Sequence, residues 1–225
     1  MVSAVIVAAG KGTRMGPDVD KLFLEVAGRP IIAHTWERFD GSPTIDEIIL
    51  VVREGMQPAF EELAGLNGFA KPWRLVPGGK ERQDSVWNGI QATNAAAEVI
   101  AIHDGARPCV TEAIIADCVR AAREHGAAVA ASAVTDTIKE AGEGGAIAKH
   151  IDRAKLRAVQ TPQTFRADII RRALGAVQAR GIAVTDDTAA CDLIGQRVML
   201  VESATPNPKA TSPADLPWLE ILLRD

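Results

Sequence analysis

Apolar, largely β-branched runs alternate with stretches whose apolar residues recur at helical spacing, from the first residues to about position 134. Residues 2–8 (VSAVIVA), 48–52 (IILVV) and 99–102 (VIAI) carry no alternating polar face, the pattern of strands covered on both sides. Residues 73–76 and 129–134 read as two further strands. Between them, 30–39 places Ile31, Ile32, Thr35 and Trp36 on one helical face. The segments 57–66, 85–97 and 111–124 also read as helices, the last with Thr111 as N-cap and Glu112 in its first turn. Strand–helix order repeated in this way predicts an α/β protein, a Rossmann-like three-layer α/β/α fold with a mostly parallel sheet. Ligands in such sheets bind beyond the carboxyl ends of the strands, here Ala8, Val52 and Ile102.

The rhythm breaks between residues 135 and 161. Asp136 to Glu140, then Gly142, Gly144 and Gly145, then residues 147–151 read as two short strands about a glycine turn. This is a protruding β-arm at about 136–158, inserted in one domain over 1–225. An arm that buries little in its own domain either packs on a partner subunit or lies as a surface flap. Beyond it come a helix at 167–178, a helix start at Thr185-Asp186-Asp187 capped by Thr185 or Asp186, a strand at 198–201 and a last helix from about Pro213.

Composition narrows the function. The net charge of −4 speaks against a sequence-independent nucleic-acid binder, so any anionic ligand must be met by a few placed Lys and Arg residues. No apolar run approaches the ~18–20 residues of a membrane span. Residues 1–10 lack a charged n-region, so the cytoplasm is expected, with no membrane partner. Cys109, Cys118 and Cys191 have no metal-site spacing and read as free thiols, buried or half-buried. Aromatic residues are only 4% of the chain, with no Tyr, so stacking on aromatic platforms is not the expected way of holding a base.

The first strand runs into Ala8-Ala9-Gly10-Lys11-Gly12-Thr13-Arg14-Met15-Gly16, with Lys21 shortly after. Small residues and glycines let backbone N–H groups approach a polyphosphate. Arg14 offers a fork for phosphate oxygens and Lys21 a mobile point charge. It is not the dinucleotide fingerprint, because Met15 stands at the third glycine, and no Gly-Lys-Ser/Thr of a Walker loop follows. The run from Pro77 to Val86, with Gly78, Gly79 and Ser85, either cradles a nucleobase or phosphate or is a turn with Ser85 as N-cap. Asp104, at the end of the 99–102 strand, is placed to hold Mg²⁺ or a ligand hydroxyl, or to sit in a buried ion pair. Arg107 either pairs with Asp104 or reaches a ligand, and His103 reads as a structural histidine. Arg153 at the end of the arm and Lys209 in Asn207-Pro208-Lys209-Ala210-Thr211 are two further cations, far away in sequence.

Taken together, AAGKGTRMG…DK, GGKERQDSV, HDGARP, DTIK, DR…TPQTF, TDD and NPKAT occur in the order found in the 2-C-methyl-D-erythritol 4-phosphate cytidylyltransferase family, which the chain resembles over nearly its whole length. The resemblance implies transfer of CMP from CTP to the 4-phosphate of a sugar alcohol, in isoprenoid precursor biosynthesis. It implies that Ala8, Ala9, Gly10, Gly12, the loop from Gly79 to Ser85, and Asp104 bind CTP, and that Arg14 and Lys21 stabilise charge on the α-phosphate. Asp104 and Arg107 match a strand-end site for ribose, sugar hydroxyls and metal. Arg153 and Lys209 match residues that hold the methylerythritol phosphate, and Thr137, Thr161 and Thr185 fall at positions lining that pocket. Mg²⁺ or another divalent cation is implied, carried mainly by the CTP phosphates with Asp104 nearby. A homodimer through the arm is implied too, with Arg153 completing the neighbour's site. Two residues depart from the pattern: Asp20 replaces a proline common before the lysine, and Lys80 stands where the glycine loop can carry an acid. The rival expectations are ribitol 5-phosphate as acceptor, another nucleotide with a sugar 1-phosphate, and a non-catalytic nucleotide-sensing module.

Overall fold

The computed structural model describes residues 1–10 and 20–224. In chain order the strands are β1 (Val2–Ala8), β2 (Glu25–Val26), β3 (Arg29–Pro30), β4 (Glu47–Val52), β5 (Trp73–Pro77), β6 (Val99–Asp104), β7 (Ala127–Ala133), β8 (Lys139–Ala141), β9 (Ile147–His150), β10 (Arg157–Arg166) and β11 (Met199–Glu202). The helices are α1 (Ile31–Asp40), α2 (Gln57–Asn67), α3 (Arg82–Gln91), α4 (Glu112–His125), α5 (Ala167–Arg180), α6 (Asp187–Asp192) and α7 (Leu216–Arg224). Among the described residues the main sheet runs β11-β7-β10-β6-β1-β4-β5. Every neighbouring pair is parallel except the two that β10 makes with β6 and β7.

The unalternating strands are covered on both faces, and alternate residues feed two cores. Ala4, Ile6 and Ala8 of β1, Ile48, Leu50 and Val52 of β4, and Val99 and Ala101 of β6 pack with α1, α2, α4 and α7. Val5, Ile49, Val51, Ile100 and Ile102 pack on the other face with α3, α5 and α6. On that face α3 comes so close that a Cβ on Gly89 would lie 2.5 Å from Val5 Cγ1, so only glycine fits there.

The register brings the strand ends level: Val7 is paired with Val51 of β4 on one side and with Asp104 of β6 on the other. The chain steps outward from β1 through β4 to β5, then returns to β6 on the opposite side of β1. That reversal opens a crevice beyond the carboxyl ends of β1 and β6, where open α/β sheets take their ligands.

Besides the short pair β2–β3, which the sequence pattern does not predict, three segments differ from the expectation. Helix α3 covers Arg82–Gln91 rather than 85–97, so Ser85 lies inside its first turns. Its start is set by a capping box in which Glu81 and Asp84 bond each other's backbone. Beyond α3 the expected helix is broken at Asn94, whose N–H goes to Glu47 Oε1 at 2.6 Å and whose side chain accepts from Ala96 N at 2.9 Å. Strand β10 was not expected at all. Thr111 precedes α4 in extended backbone but makes no side-chain cap bond. The arm is the hairpin β8–β9, its turn placing Gly144 and Gly145 at φ 65° and 82°, and the residues of both strands are exposed. No helix among the described residues is long and apolar enough to cross a membrane.

Candidate active site

A cavity of about 450 Å³ lies at the carboxyl ends of β1, β4, β5 and β6, in the crevice created by the strand order. Ala9 and Gly10 form one wall and Gly78, Gly79 and Ser85 another. Among the described residues, five basic side chains line it: Lys21, Arg53, Lys80, Arg82 and Lys209. The glycine loop and α3 are fastened together by Ser85, whose Oγ accepts from Gly79 N at 3.0 Å and donates to Glu81 O at 3.2 Å. Gly78 has no room for a side chain, since a Cβ there would run into that of Ala9. Small residues thus let two backbone segments close on the same space from β1 and β5.

Asp104 ends β6 and is the acid at the centre of this basic surround. Lys209 Nζ donates to its Oδ2 at 2.7 Å, and Arg82 and Arg107 place Nε at 3.6 and 3.8 Å from its oxygens. Burial by itself pushes this carboxyl up, but Lys209, Arg82 and Arg107 outweigh it and hold the pKa down at about 2. The loop carrying Lys209 is stitched to the end of β6. Ala210 N donates to Ala106 O at 2.8 Å, Arg107 Nη1 to Asn207 O at 2.6 Å, and Asn207 Nδ2 to Thr161 O at 2.8 Å. Lys21 reaches the same loop from the other side, donating to Ala210 O at 3.2 Å across 189 positions of sequence.

His103, beneath Asp104, is wholly buried and structural. Its Nε2 lies 3.1 Å from Arg107 O and must carry the proton; its Nδ1 accepts from Thr161 Oγ1 at 3.0 Å, which in turn accepts from Asp104 N at 3.1 Å. That chain of donors and acceptors is complete only with a neutral ring. Burial lowers the pKa of His103 from 6.5 to about 4. The unfolded chain therefore binds one more proton there between pH 6.5 and 4, so stability is full above that window and is lost as pH falls through it. We expect this group to cost about 3 kcal/mol between pH 7 and 4. Urea unfolding at pH 7 and 4.5 checks it: the parent's midpoint should fall clearly more than that of His103→Gln, a comparison that also cancels the lowered pKa of His34. Equal falls would remove the assignment.

The remaining sequence-derived residues fall in different places. Ala8 is buried at the end of β1, and Ala9, Gly10, Lys21, Gly79, Ser85, Asp104 and Lys209 meet at the cavity. Gly12 and Arg14 lie outside the described residues. Arg107 and Thr161 are turned inward, onto Asn207 and His103. Thr137 is exposed at the foot of the arm, and Arg153 is exposed in a 3₁₀ turn, donating to Thr135 O of its own chain. Thr185 lines a separate groove beside Val159, Asp186 and Leu200. Asp186, not Thr185, caps α6, accepting from Ala189 N at 2.9 Å. All three cysteines are free and buried.

Neither Arg53 nor the pairing of Arg82 with Asp187 is expected from the sequence, although Arg82 lies in the Gly79–Ser85 loop that the resemblance implies binds CTP. Arg82 lines the cavity and places Nη2 2.9 Å from Asp187 Oδ2, a carboxylate buried at the first position of α6. The only signal was an Arg and an Asp inside two quoted motifs, about a hundred positions apart. Among the described residues no three His, Cys, Asp or Glu converge as metal donors, and Asp104 is already occupied by cations. That donor set does not fit a divalent ion held by the protein alone.

Comparison with known proteins agrees with this geometry. Residues 2–225 match the family model described as IspD, 2-C-methyl-D-erythritol 4-phosphate cytidylyltransferase. The chain is 41% identical over 225 residues to the enzyme of that name from Clostridium acetobutylicum, covering 100% of the chain and 98% of the relative. It is 43% identical over 221 residues to the bifunctional enzyme IspD/IspF of Desulforudis audaxviator, covering 98% of the chain but only 56% of that longer protein. Among solved structures, 4-diphosphocytidyl-2C-methyl-D-erythritol synthase from Anaerococcus prevotii superposes with a TM-score of 0.88 at 27% identity, covering 100% of this chain and 96% of that one. The cytidylyltransferase of Thermus thermophilus gives 0.80 at 30% identity, covering 98% of both chains. With a family match that leaves out only the first residue, and a fold whose glycine walls and basic cavity lie at the carboxyl edge of the sheet, the chain belongs to the 2-C-methyl-D-erythritol 4-phosphate cytidylyltransferase family.

Proposed function

We propose that the protein transfers CMP from CTP to 2-C-methyl-D-erythritol 4-phosphate, releasing pyrophosphate, and that it does so in the cytoplasm. The observation that carries this reading is the convergence of Lys21, Lys209, Gly79 and Ser85 on one cavity. On this reading the glycine walls and Ser85 take the cytosine end of CTP, with Asp104 at the ribose, and Lys21, with Arg14 and Gly12, meets the triphosphate. An oxygen of the sugar-alcohol phosphate forms a bond to the α-phosphorus; the bond from that phosphorus to the bridging oxygen breaks, and pyrophosphate leaves with the electron pair. A phosphate oxygen is already a nucleophile, so the step needs no general base, and His103 has no part in it. Mg²⁺ is proposed to arrive on the phosphate oxygens of CTP.

The acceptor's phosphate is assigned to Lys209 and to Arg153 of a second copy, with Thr137, Thr161, Thr185 and Arg107 about it. Two features support a dimer through the arm: its strands are exposed in the isolated chain, and Ile147 on the arm and Val159 and Leu200 near its base leave apolar surface uncovered. Arg153→Ala is expected to raise KM for the sugar phosphate roughly 10- to 100-fold, the worth of a hydrogen bond to a charged group, while KM for CTP changes little. Equal rises in both constants in steady-state assays would defeat the assignment.

The test of the whole reading is pyrophosphate release from CTP with methylerythritol 4-phosphate and ribitol 5-phosphate in turn, repeated with UTP and GTP. Release with CTP and the methylerythritol phosphate is the expected result. Preference for ribitol phosphate, or CTP binding without release, would overturn it.

A further inference from the structure

Asp20, just before Lys21, makes two side-chain bonds to described residues. Its Oδ1 accepts from Leu22 N at 3.1 Å, closing the turn Lys21–Phe23, and its Oδ2 accepts from Arg53 Nη2 at 2.9 Å. Arg53 directly follows β4, and its side chain lines the cavity together with Lys21. The pair is half-sheltered, with 33% of the Arg53 side chain and 21% of that of Asp20 exposed. The rest of the turn is anchored by packing: Leu22 is buried, and Phe23 meets Phe60 of α2 edge-on with ring centres 5.3 Å apart. Residues 20–22 thus reach from the end of β4, through Arg53, to the loop that carries Lys209, through the bond from Lys21 to Ala210.

We propose that the Asp20–Arg53 pair is a positioning element for Lys21. A lysine ammonium is a point charge on a four-carbon stem, and its field at a given phosphate depends on where its Cα is held. The carboxylate of Asp20 fixes that Cα twice, by closing the turn from within and by tying it to the rigid end of a central strand. Arg53 is thereby a positioning residue acting through Asp20. The inference rests on the assignment of Lys21 to the phosphates of CTP.

Its test is a mutant cycle with Arg53→Met, Asp20→Asn, Lys21→Ala and the double variant Arg53→Met/Lys21→Ala, read by kcat in the transfer assay and by CTP affinity in calorimetry. Arg53→Met and Asp20→Asn should each lower kcat roughly 10- to 100-fold, the usual consequence of a misplaced catalytic group, and leave KM for the sugar phosphate within about twofold. The double variant should be no slower, and bind CTP no more weakly, than Lys21→Ala alone, because a positioning effect vanishes with the group it positions. A pair that only stabilises the fold would multiply the two losses instead. Multiplied losses, or single variants with parental kcat and CTP affinity, would overturn the inference. A parent chain that binds no CTP or transfers nothing would overturn the functional reading itself.

Discussion

Lys21→Ala is expected to cut turnover roughly 10²–10³-fold, the cost of removing one well-placed donor from a developing negative charge. The difficulty of the proposed reaction is the approach of two polyanions. Two unit charges at 4 Å repel by about 4 kcal/mol even at an effective dielectric of 20, and several such charges meet here. Among the described residues the cavity answers with cations: Lys209 beside Asp104, Arg82 beside Asp187, Arg53 beside Asp20, and Lys21. Lys21 sits on the turn facing them and donates to the carbonyl of Ala210. Its ammonium can turn toward charge that builds on the α-phosphorus oxygens. An interaction that strengthens in the transition state lowers kcat when lost, whereas one made equally with bound substrate raises KM. The expected signature is a large fall in kcat, a smaller change in KM for CTP and almost none for the sugar phosphate. Steady-state kinetics in both substrates checks it, and turnover within about fivefold of the parent would exclude Lys21 from the chemistry.

The layers of the fold were legible because β1, β4 and β6 are apolar without alternation, and only a strand between two helical layers needs that. The position of the site followed from the same runs, since their carboxyl ends fix where a ligand lies. Strand β10 was not legible. Its central residues are Thr161-Pro162-Gln163-Thr164, and a proline between polar residues argues against a central strand. The structure accommodates it at an irregularity of register between Val159 and Gln163, where no ladder bond from residue 162 is required. Two of the polar side chains there are buried with bonds to neighbouring elements: Thr161 bonds His103 of β6, and Gln163 spans Asp186 and the backbone of Asp187 at the start of α6. Helix α3 was misplaced for a related reason. Ser85 looks like a cap in sequence, but its hydroxyl holds the glycine loop, and Glu81 with Asp84 does the capping. Lys209 was legible only through its motif. Nothing local in Asn207-Pro208-Lys209 reveals that a salt bridge to Asp104 lies 105 positions back.

Arg82→Met is expected to be the most destabilising single change among the charged residues of the cavity. The carboxylate of Asp187 is wholly buried, with the Arg82 guanidinium 2.9 Å from its Oδ2. Its compensation is the Coulombic pairing with Arg82, whose own side chain remains 32% exposed. The pair is therefore asymmetric. Removing Asp187 leaves a cation that water can still reach, while removing Arg82 strands a charge in the core beneath α6. Breaking a buried pair from that side costs about 3–5 kcal/mol, which for a chain of this length lowers Tm by about 10 °C. The pH dependence follows from the direction of the Asp187 shift. Burial pushes its carboxyl up and Arg82 pulls it back, so without Arg82 it rises further above the unfolded value. A raised carboxyl contributes stability below the unfolded pKa and loses it as pH rises toward the folded one. Arg82→Met should thus lie closer to the parent at pH 5 than at pH 8, and Arg82→Met/Asp187→Asn should recover part of the loss at pH 8. Thermal melts of the three proteins at both values decide it. An Arg82→Met deficit independent of pH and unrelieved by Asp187→Asn would mean that the guanidinium acts through packing, and that Asp187 is neutral in the native protein.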